Sequence, residues 1–288
     1  MNGRIRPTLH GSQLRGAKLS LAEKAALARR HGYPGLDLGL AEARAHGDGD
    51  PAAVRDLFSQ HGLEPSTVGG VFGGRLADNT EEEFESALAA TAANAREAAS
   101  LGASRTVTVL APRTSRPKDE LWPVVVDRVR RVDAALDGTG VRLGVEFIGV
   151  KTLRPEQPHA FVQSMAEANR LLDEAGARNV GLTLDSYHWY AGGDSLDIIR
   201  QTPGERIVLL HVNDAKDVPR EHLIDQDRVL PGEGVIPLAD WLRAIAATGF
   251  DGFIGMEVLG PRLADLDAET CARLGKEALD RLFAAAGV

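Results

Sequence analysis

Four ionisable residues stand directly behind apolar runs. Glu146 follows Gly144-Val145, Asp185 follows Leu182-Thr183-Leu184, His211 follows Val208-Leu209-Leu210, and Glu257 follows Gly255-Met256. A carboxylate carried on a buried run is costly to desolvate unless a counter-charge meets it, and acids are rarely buried without one. Each residue alone has a plainer reading: a salt bridge to a stray Arg or Lys or, for His211, one of eight histidines that merely ends a strand. Together the four read as an oxygen-rich donor set with a single imidazole. Such a set suits one divalent ion and differs from the thiolate set of structural zinc. Mn²⁺ is the expected ion and Zn²⁺ the next, with Co²⁺ and Mg²⁺ also compatible, because selection depends on geometry and supply as well as affinity.

The elements that must position these residues alternate along the chain. Ile5–His10, Gly35–Gly39, Ser66–Phe72, Arg105–Leu110, Val141–Ile148, Val180–Leu184, Ile207–Val212 and Phe253–Val258 read as strands, being short apolar or β-branched runs between turn signals. Helical stretches separate them. Ser20–His31 opens with a Ser20/Glu23 capping box, and Asp50-Pro51 starts a helix with a cap and a first-turn proline. Further helices are expected over about 80–100, 118–136, about 159–175 closed by Gly176, near 194–201, 238–248 and 268–286. Such alternation demands a parallel sheet with helical crossovers. Eight β–α pairs in 288 residues fit a closed (β/α)₈ TIM barrel, one domain over 1–288, better than an open sheet. In a barrel all strand C-termini converge on one mouth, so strands five to eight would bring Glu146, Asp185, His211 and Glu257 together there.

Composition removes other classes. A net charge of −8 with no block of consecutive Lys or Arg argues against nucleic-acid and membrane partners. One cysteine, Cys271, excludes an internal disulfide and a cysteine-rich metal site. Residues 1–14 lack the apolar core of a signal peptide, and no run approaches a membrane span, so a cytoplasmic protein is expected.

Glu146, Asp185-Ser186-Tyr187-His188, His211-Val212-Asn213-Asp214, Pro231-Gly232-Glu233-Gly234 and Glu257 resemble the xylose-isomerase-like barrel superfamily of sugar isomerases and epimerases. The stretch from Asp225 to Gly234, with Gly252 to Glu257, is most similar to its inosose (2-keto-myo-inositol) isomerase branch. The resemblance implies one metal held by Glu146, Asp185, His211 and Glu257, with the two glutamates doubling as acid/base groups. It also implies a hydrogen bond from His188 to a substrate oxygen. The expected substrate is a small keto-sugar or cyclitol. Ionising the C–H beside a carbonyl polarised by the ion gives an enediolate, and two carboxylates on non-adjacent strands can flank the substrate and move the proton. A homo-oligomer is an expectation from such barrels, whose exposed helix faces often pair.

Further residues have both a binding and a plain reading. Lys151 and Arg154, behind Glu146, would meet a hydroxyl-rich or anionic substrate or else be solvated. Trp189 and Tyr190 would wall the pocket or pack beneath a loop. Asp227 and Arg228 sit in the long loop Asn213–Pro237, where Arg228 would bind substrate or bridge to Asp227; loops of that length are often functional. Asp214 would orient His211 or cap a turn, Glu233 belongs to turn chemistry, and His10 faces the same mouth with packing as its leading reading. Three rivals remain. A lyase or dehydratase on a keto-sugar or 3-keto-glycoside shares the first proton abstraction. A sugar-binding barrel without turnover would retain the site. An endonuclease IV-like repair enzyme has a similar histidine stretch, but Asp227-Arg228-Val229 places valine where its metal cluster needs histidine, and an acidic chain lacks the cationic footprint of a phosphate-backbone binder.

Overall fold

The turn and cap residues start helices where their chemistry requires. Ser20 with Glu23 and Thr80 with Glu83 close reciprocal capping boxes, and Asp50 caps a helix whose first residue is Pro51. Between the helices lie eight parallel strands: β1 (Ile5–Leu9), β2 (Gly35–Gly39), β3 (Glu64–Gly69), β4 (Arg105–Leu110), β5 (Arg142–Phe147), β6 (Val180–Asp185), β7 (Ile207–Val212) and β8 (Gly252–Met256). The computed structural model describes residues 4–14 and 17–288. Hydrogen bonds order the sheet β3-β2-β1-β8-β7-β6-β5-β4, and Cα atoms of its two end strands, β3 and β4, approach within 8 Å. The sheet therefore curls into a nearly closed (β/α)₈ barrel. No helix among the described residues is long and apolar enough to cross a membrane.

Several boundaries differ from expectation. The helix expected from His159 begins at Met165, because His159–Ala160 pairs antiparallel with Arg113–Thr114 and Ser164 then caps the helix through the Glu167 amide. Strand three covers Glu64–Gly69 in place of Ser66–Phe72, and β8 ends at Met256, so Glu257 is the first residue beyond it. Two short helices, Leu40–His46 and Ser186–Gly192, were not expected.

Side chains alternate in direction along each strand, and this period sorts the barrel interior into levels. At the N-terminal end the guanidinium carbons of Arg6 and Arg105 lie 4.3 and 5.6 Å from the centroid of the Phe253 ring. One level up, Thr8 Oγ1 donates to Ser66 Oγ at 2.6 Å. Continuing in steps of two, the level at the C-terminal mouth comprises His10, Val109, Glu146, Asp185, His211 and Glu257. Parallel pairing sets Val109 beside Glu146 and Asp185 beside His211, whereas Glu146 pairs with Thr183, His211 with Gly255 and Gly255 with Thr8, one step below Asp185, Glu257 and His10.

The long loop behind β7 is organised by Asp214. Its buried carboxylate accepts the N–H groups of Ala215 and Ile236 at 2.9 Å, Gly232 at 3.0 Å and Gly234 at 3.1 Å. Backbone bonds of 3.0 Å in both directions join Asp214 to Val229. Asp214 thus does not orient His211; it is the anchor of the loop. Gly234 has to be glycine, since a Cβ there would stand 2.2 Å from the Ala215 carbonyl oxygen. Asp214→Ala strands several buried amides, and the expected cost is about 3 kcal/mol, read by urea unfolding. Amide exchange at Gly232, Gly234 and Ile236 should accelerate; unchanged exchange would show that the loop has another anchor.

Candidate functional site

One donor atom each from Glu146, Asp185, His211 and Glu257 lies within 4.8 Å of the other three. Glu146, Asp185 and His211 are buried, and Glu257 is mostly so. His211 Nδ1 is 2.9 Å from Glu146 Oε1 and 3.7 Å from Glu257 Oε2. Its Nε2 is buried with no protein partner. Burial opposes a charge on this imidazole, yet the Glu146 and Glu257 carboxylates and the Glu146 hydrogen bond outweigh it and push its pKa up to about 9. Burial likewise opposes ionisation of Glu257, but the His211 imidazole and the Arg228 guanidinium bring its carboxyl down to about 2.

Asp185 spends its oxygens on several donors at once. Oδ1 caps the helix Ser186–Gly192, accepting Tyr187 N–H at 2.6 Å and His188 N–H at 3.1 Å. Oδ2 accepts Asn213 Nδ2 at 3.0 Å and Arg228 Nη1 at 3.1 Å. Arg228 is itself buried, and its Nη1 also donates to Glu257 Oε2 at 2.9 Å. Its Nη2 donates to Asp225 at 2.7 Å and to His188 Nε2 at 3.1 Å. Burial disfavours the Arg228 charge, but Asp185, Glu257 and Asp225 hold it firmly protonated.

Four carboxylates therefore face one guanidinium and one imidazole. The carboxylates that raise the pKa of the imidazole can hold a divalent cation, which would relieve the excess negative charge more fully. Donor chemistry, spacing and charge all fit such an ion.

The structure separates the other expected residues. His188 is buried on the short helix, not in a loop; since a guanidinium only donates, His188 Nε2 accepts from it and Nδ1 carries the proton, without a protein partner. Arg228 bridges to Asp225, Asp185 and Glu257, whereas Asp227 turns away to Lys216 Nζ at 2.5 Å. Trp189 is core packing, with Nε1 donating to the Ser195 carbonyl at 3.3 Å. Lys151 is exposed. Arg154 binds Asp78 at 3.1 Å and helps line a cavity of about 420 Å³ with Phe72, Arg75, Val109 and Ile148. That cavity borders Glu146, because Val109 is its register partner and is 52% exposed at the mouth. Glu233 accepts the Leu230 amide and pairs with Arg262, as a turn residue does. Sequence reasoning missed Asp225 and Asn213. Asp225 stands three residues before Arg228, a spacing that signals an ion pair; Asn213 offered no such sign.

A nearly closed barrel with this cluster at its C-terminal mouth defines a class, and comparison with known proteins supplies the family. The chain belongs to the xylose isomerase-like TIM barrel family, whose model matches residues 25–282. Inosose isomerases from two Bacillus species are relatives. The Bacillus velezensis protein is 25% identical over 262 residues, 90% of each chain. The Bacillus subtilis protein is 31% identical over 160 residues, 56% of this chain and 55% of its own, so the chain spans about half the length of that relative. A xylose isomerase domain protein from Alicyclobacillus acidocaldarius has a TM-score of 0.87 and 34% identity over 99% of this chain and 100% of that one. The IolI protein, solved with a bound zinc atom, shares the fold at a TM-score of 0.82 and 22% identity, covering 96% of this chain and 98% of its own.

Arg228→Met leaves Asp185, Asp225 and Glu257 buried without their guanidinium. The expected loss is about 3–5 kcal/mol in urea unfolding with chelator present. A loss below about 1 kcal/mol would show that the carboxylates are not paired as described.

Proposed function

We propose that this chain is a divalent-metal-dependent isomerase or epimerase of a small keto-sugar or keto-inositol, acting as one barrel domain. The observation that carries the reading is the meeting of Glu146, Asp185, His211 and Glu257 within 4.8 Å at the barrel mouth. Kinship with curated inosose isomerases supports the substrate class. These four side chains would hold the ion, Mn²⁺ in first place and Zn²⁺ next. A bound divalent ion polarises a carbonyl beside it and spreads the charge that develops when the neighbouring C–H ionises.

The remaining work falls to the chain's own residues. Glu146 belongs to β5 and Glu257 directly follows β8, with β6 and β7 between them, and so they approach a molecule in the mouth from different sides. Glu146 Oε1 faces His211, and Glu257 Oε2 faces Arg228. Among the described residues neither second oxygen has a protein hydrogen bond. Either can take a carbon-bound proton, and the other can return one to the adjacent carbon or the opposite face. Arg228 fixes Glu257 and Asp185, a positioning role in place of direct substrate contact. His188 is fixed by the same guanidinium through Nε2. Arg154 reaches the substrate through the cavity beside Glu146.

Incubating keto-sugars and keto-inositols with the protein in D₂O, with NMR readout, tests the reading. Solvent deuterium should enter beside the carbonyl, and chelator-stripped protein should lose this exchange. Glu257→Gln, which keeps a carbonyl oxygen for the ion, should lower exchange about 10²–10⁴-fold while retaining metal. Loss of a substituent instead would assign a lyase, and full exchange by metal-free protein would overturn the reading.

A further inference from the structure

The wall of the mouth opposite β5 and β6 carries a second polar pair. Arg6, Thr8 and His10 follow the same two-residue period, which places His10 on the level of the carboxylate cluster. Its ring centroid is 4.8 Å from that of His211, at 58°. Gly255 makes this possible: it pairs with Thr8 on one side and His211 on the other, and a Cβ there would sit 3.1–3.3 Å from His10.

The ring is fixed through one nitrogen only. Ser12 Oγ lies 2.7 Å from His10 Nδ1 and 3.2 Å from the Met256 carbonyl oxygen. The Ser12 amide also stands 3.4 Å from Nδ1, so both Ser12 groups engage Nδ1, and among the described residues Nε2 makes no hydrogen bond. Its neighbour Asp37 Oδ2, which accepts the Gly11 amide at 2.9 Å, is 3.7 Å away, too far for a direct hydrogen bond. Both side chains are mostly enclosed, at 13% and 18% exposure, yet open to the mouth. A ring held only for packing has no need of an accessible, unbonded nitrogen beside a carboxylate.

We propose that His10 and Asp37 form a diol-binding pair. His10 Nε2 hydrogen-bonds one substrate hydroxyl and Asp37 accepts the next, so the site takes ketones that carry vicinal hydroxyls on the side facing β1 and β2. This rests on the isomerase reading above and narrows its keto-sugars and keto-inositols to those with a vicinal pair at that position.

The test compares 2-keto-myo-inositol with its monodeoxy analogues by deuterium exchange, in wild type and in His10→Ala, His10→Gln, Asp37→Ala and Asp37→Asn. A site built around a hydroxyl rejects an analogue lacking it by at least about a hundredfold in kcat/KM. Wild type should show that preference for one deoxy position, and His10→Ala and Asp37→Ala should erase it. His10→Gln, whose amide reaches the Nε2 position, should restore part of it. Metal content and melting temperature of the variants should match wild type, which a merely structural role for the ring would not predict. Exchange by both alanine variants with wild-type discrimination overturns the pair and leaves the isomerase reading standing. Absence of exchange by wild type on every ketone overturns both.

Discussion

Negative charge taken out of water governs the mouth of this barrel. Glu146, Asp185, Asp225 and Glu257 converge on Arg228 and His211. Like charges this close repel strongly in a low-dielectric pocket. The surroundings answer that repulsion at every turn. The short helix behind β6 aims two amides at Asp185, Asn213 adds a side-chain donor, and Arg228 spans three carboxylates from a fully buried position. Asp214 gathers the amides of the loop on which Arg228 rides, so the position of the guanidinium depends on a carboxylate that never touches the cluster. A divalent ion held by this cluster would complete the compensation and supply a Lewis acid.

The barrel contributes spacing. Gly144 and Gly255 lie one step beneath the mouth level on their strands and Gly181 two, and what a Cβ would meet differs at each: the Thr183 hydroxyl, His10 and the Arg206 carbonyl respectively. Small residues at this depth let the ring of His10 and the charged groups above settle inward. The half of the mouth formed by β5 to β8 holds the charge. The half formed by β1 to β4 holds hydrogen-bonding and apolar surface, from His10 and Asp37 to the exposed Val109. On the function proposed above, a substrate held at such an ion would be read by that second half.

Much of this was legible in the residues. Apolar runs of five or six residues alternating with capped helices identify the barrel, because turn and cap chemistry act locally. The meeting of Glu146, Asp185, His211 and Glu257 was legible because each ends such a run, and strand ends in a barrel share a location. What escaped depends on contacts between distant segments. The His159–Ala160 strand forms only because Arg113–Thr114 lies alongside it. Arg228 chooses Asp225 over its neighbour Asp227 for reasons of loop path, which adjacency in sequence hides. Trp189 had both a pocket-wall and a packing reading, and its place on the helix Ser186–Gly192 puts it in the core. His10 was legible at the mouth with packing as its leading reading; its ring against His211 and its neighbour Asp37 depend on contacts between distant strands.

The central claim is that the carboxylate cluster is a single-ion site. Anomalous X-ray scattering from crystals of the protein soaked in Mn²⁺ tests it most directly. The account predicts one strong peak at about 2 Å from donor atoms of Glu146, Asp185, His211 and Glu257 together. Peaks confined to surface acids, with none among these four residues, would contradict it.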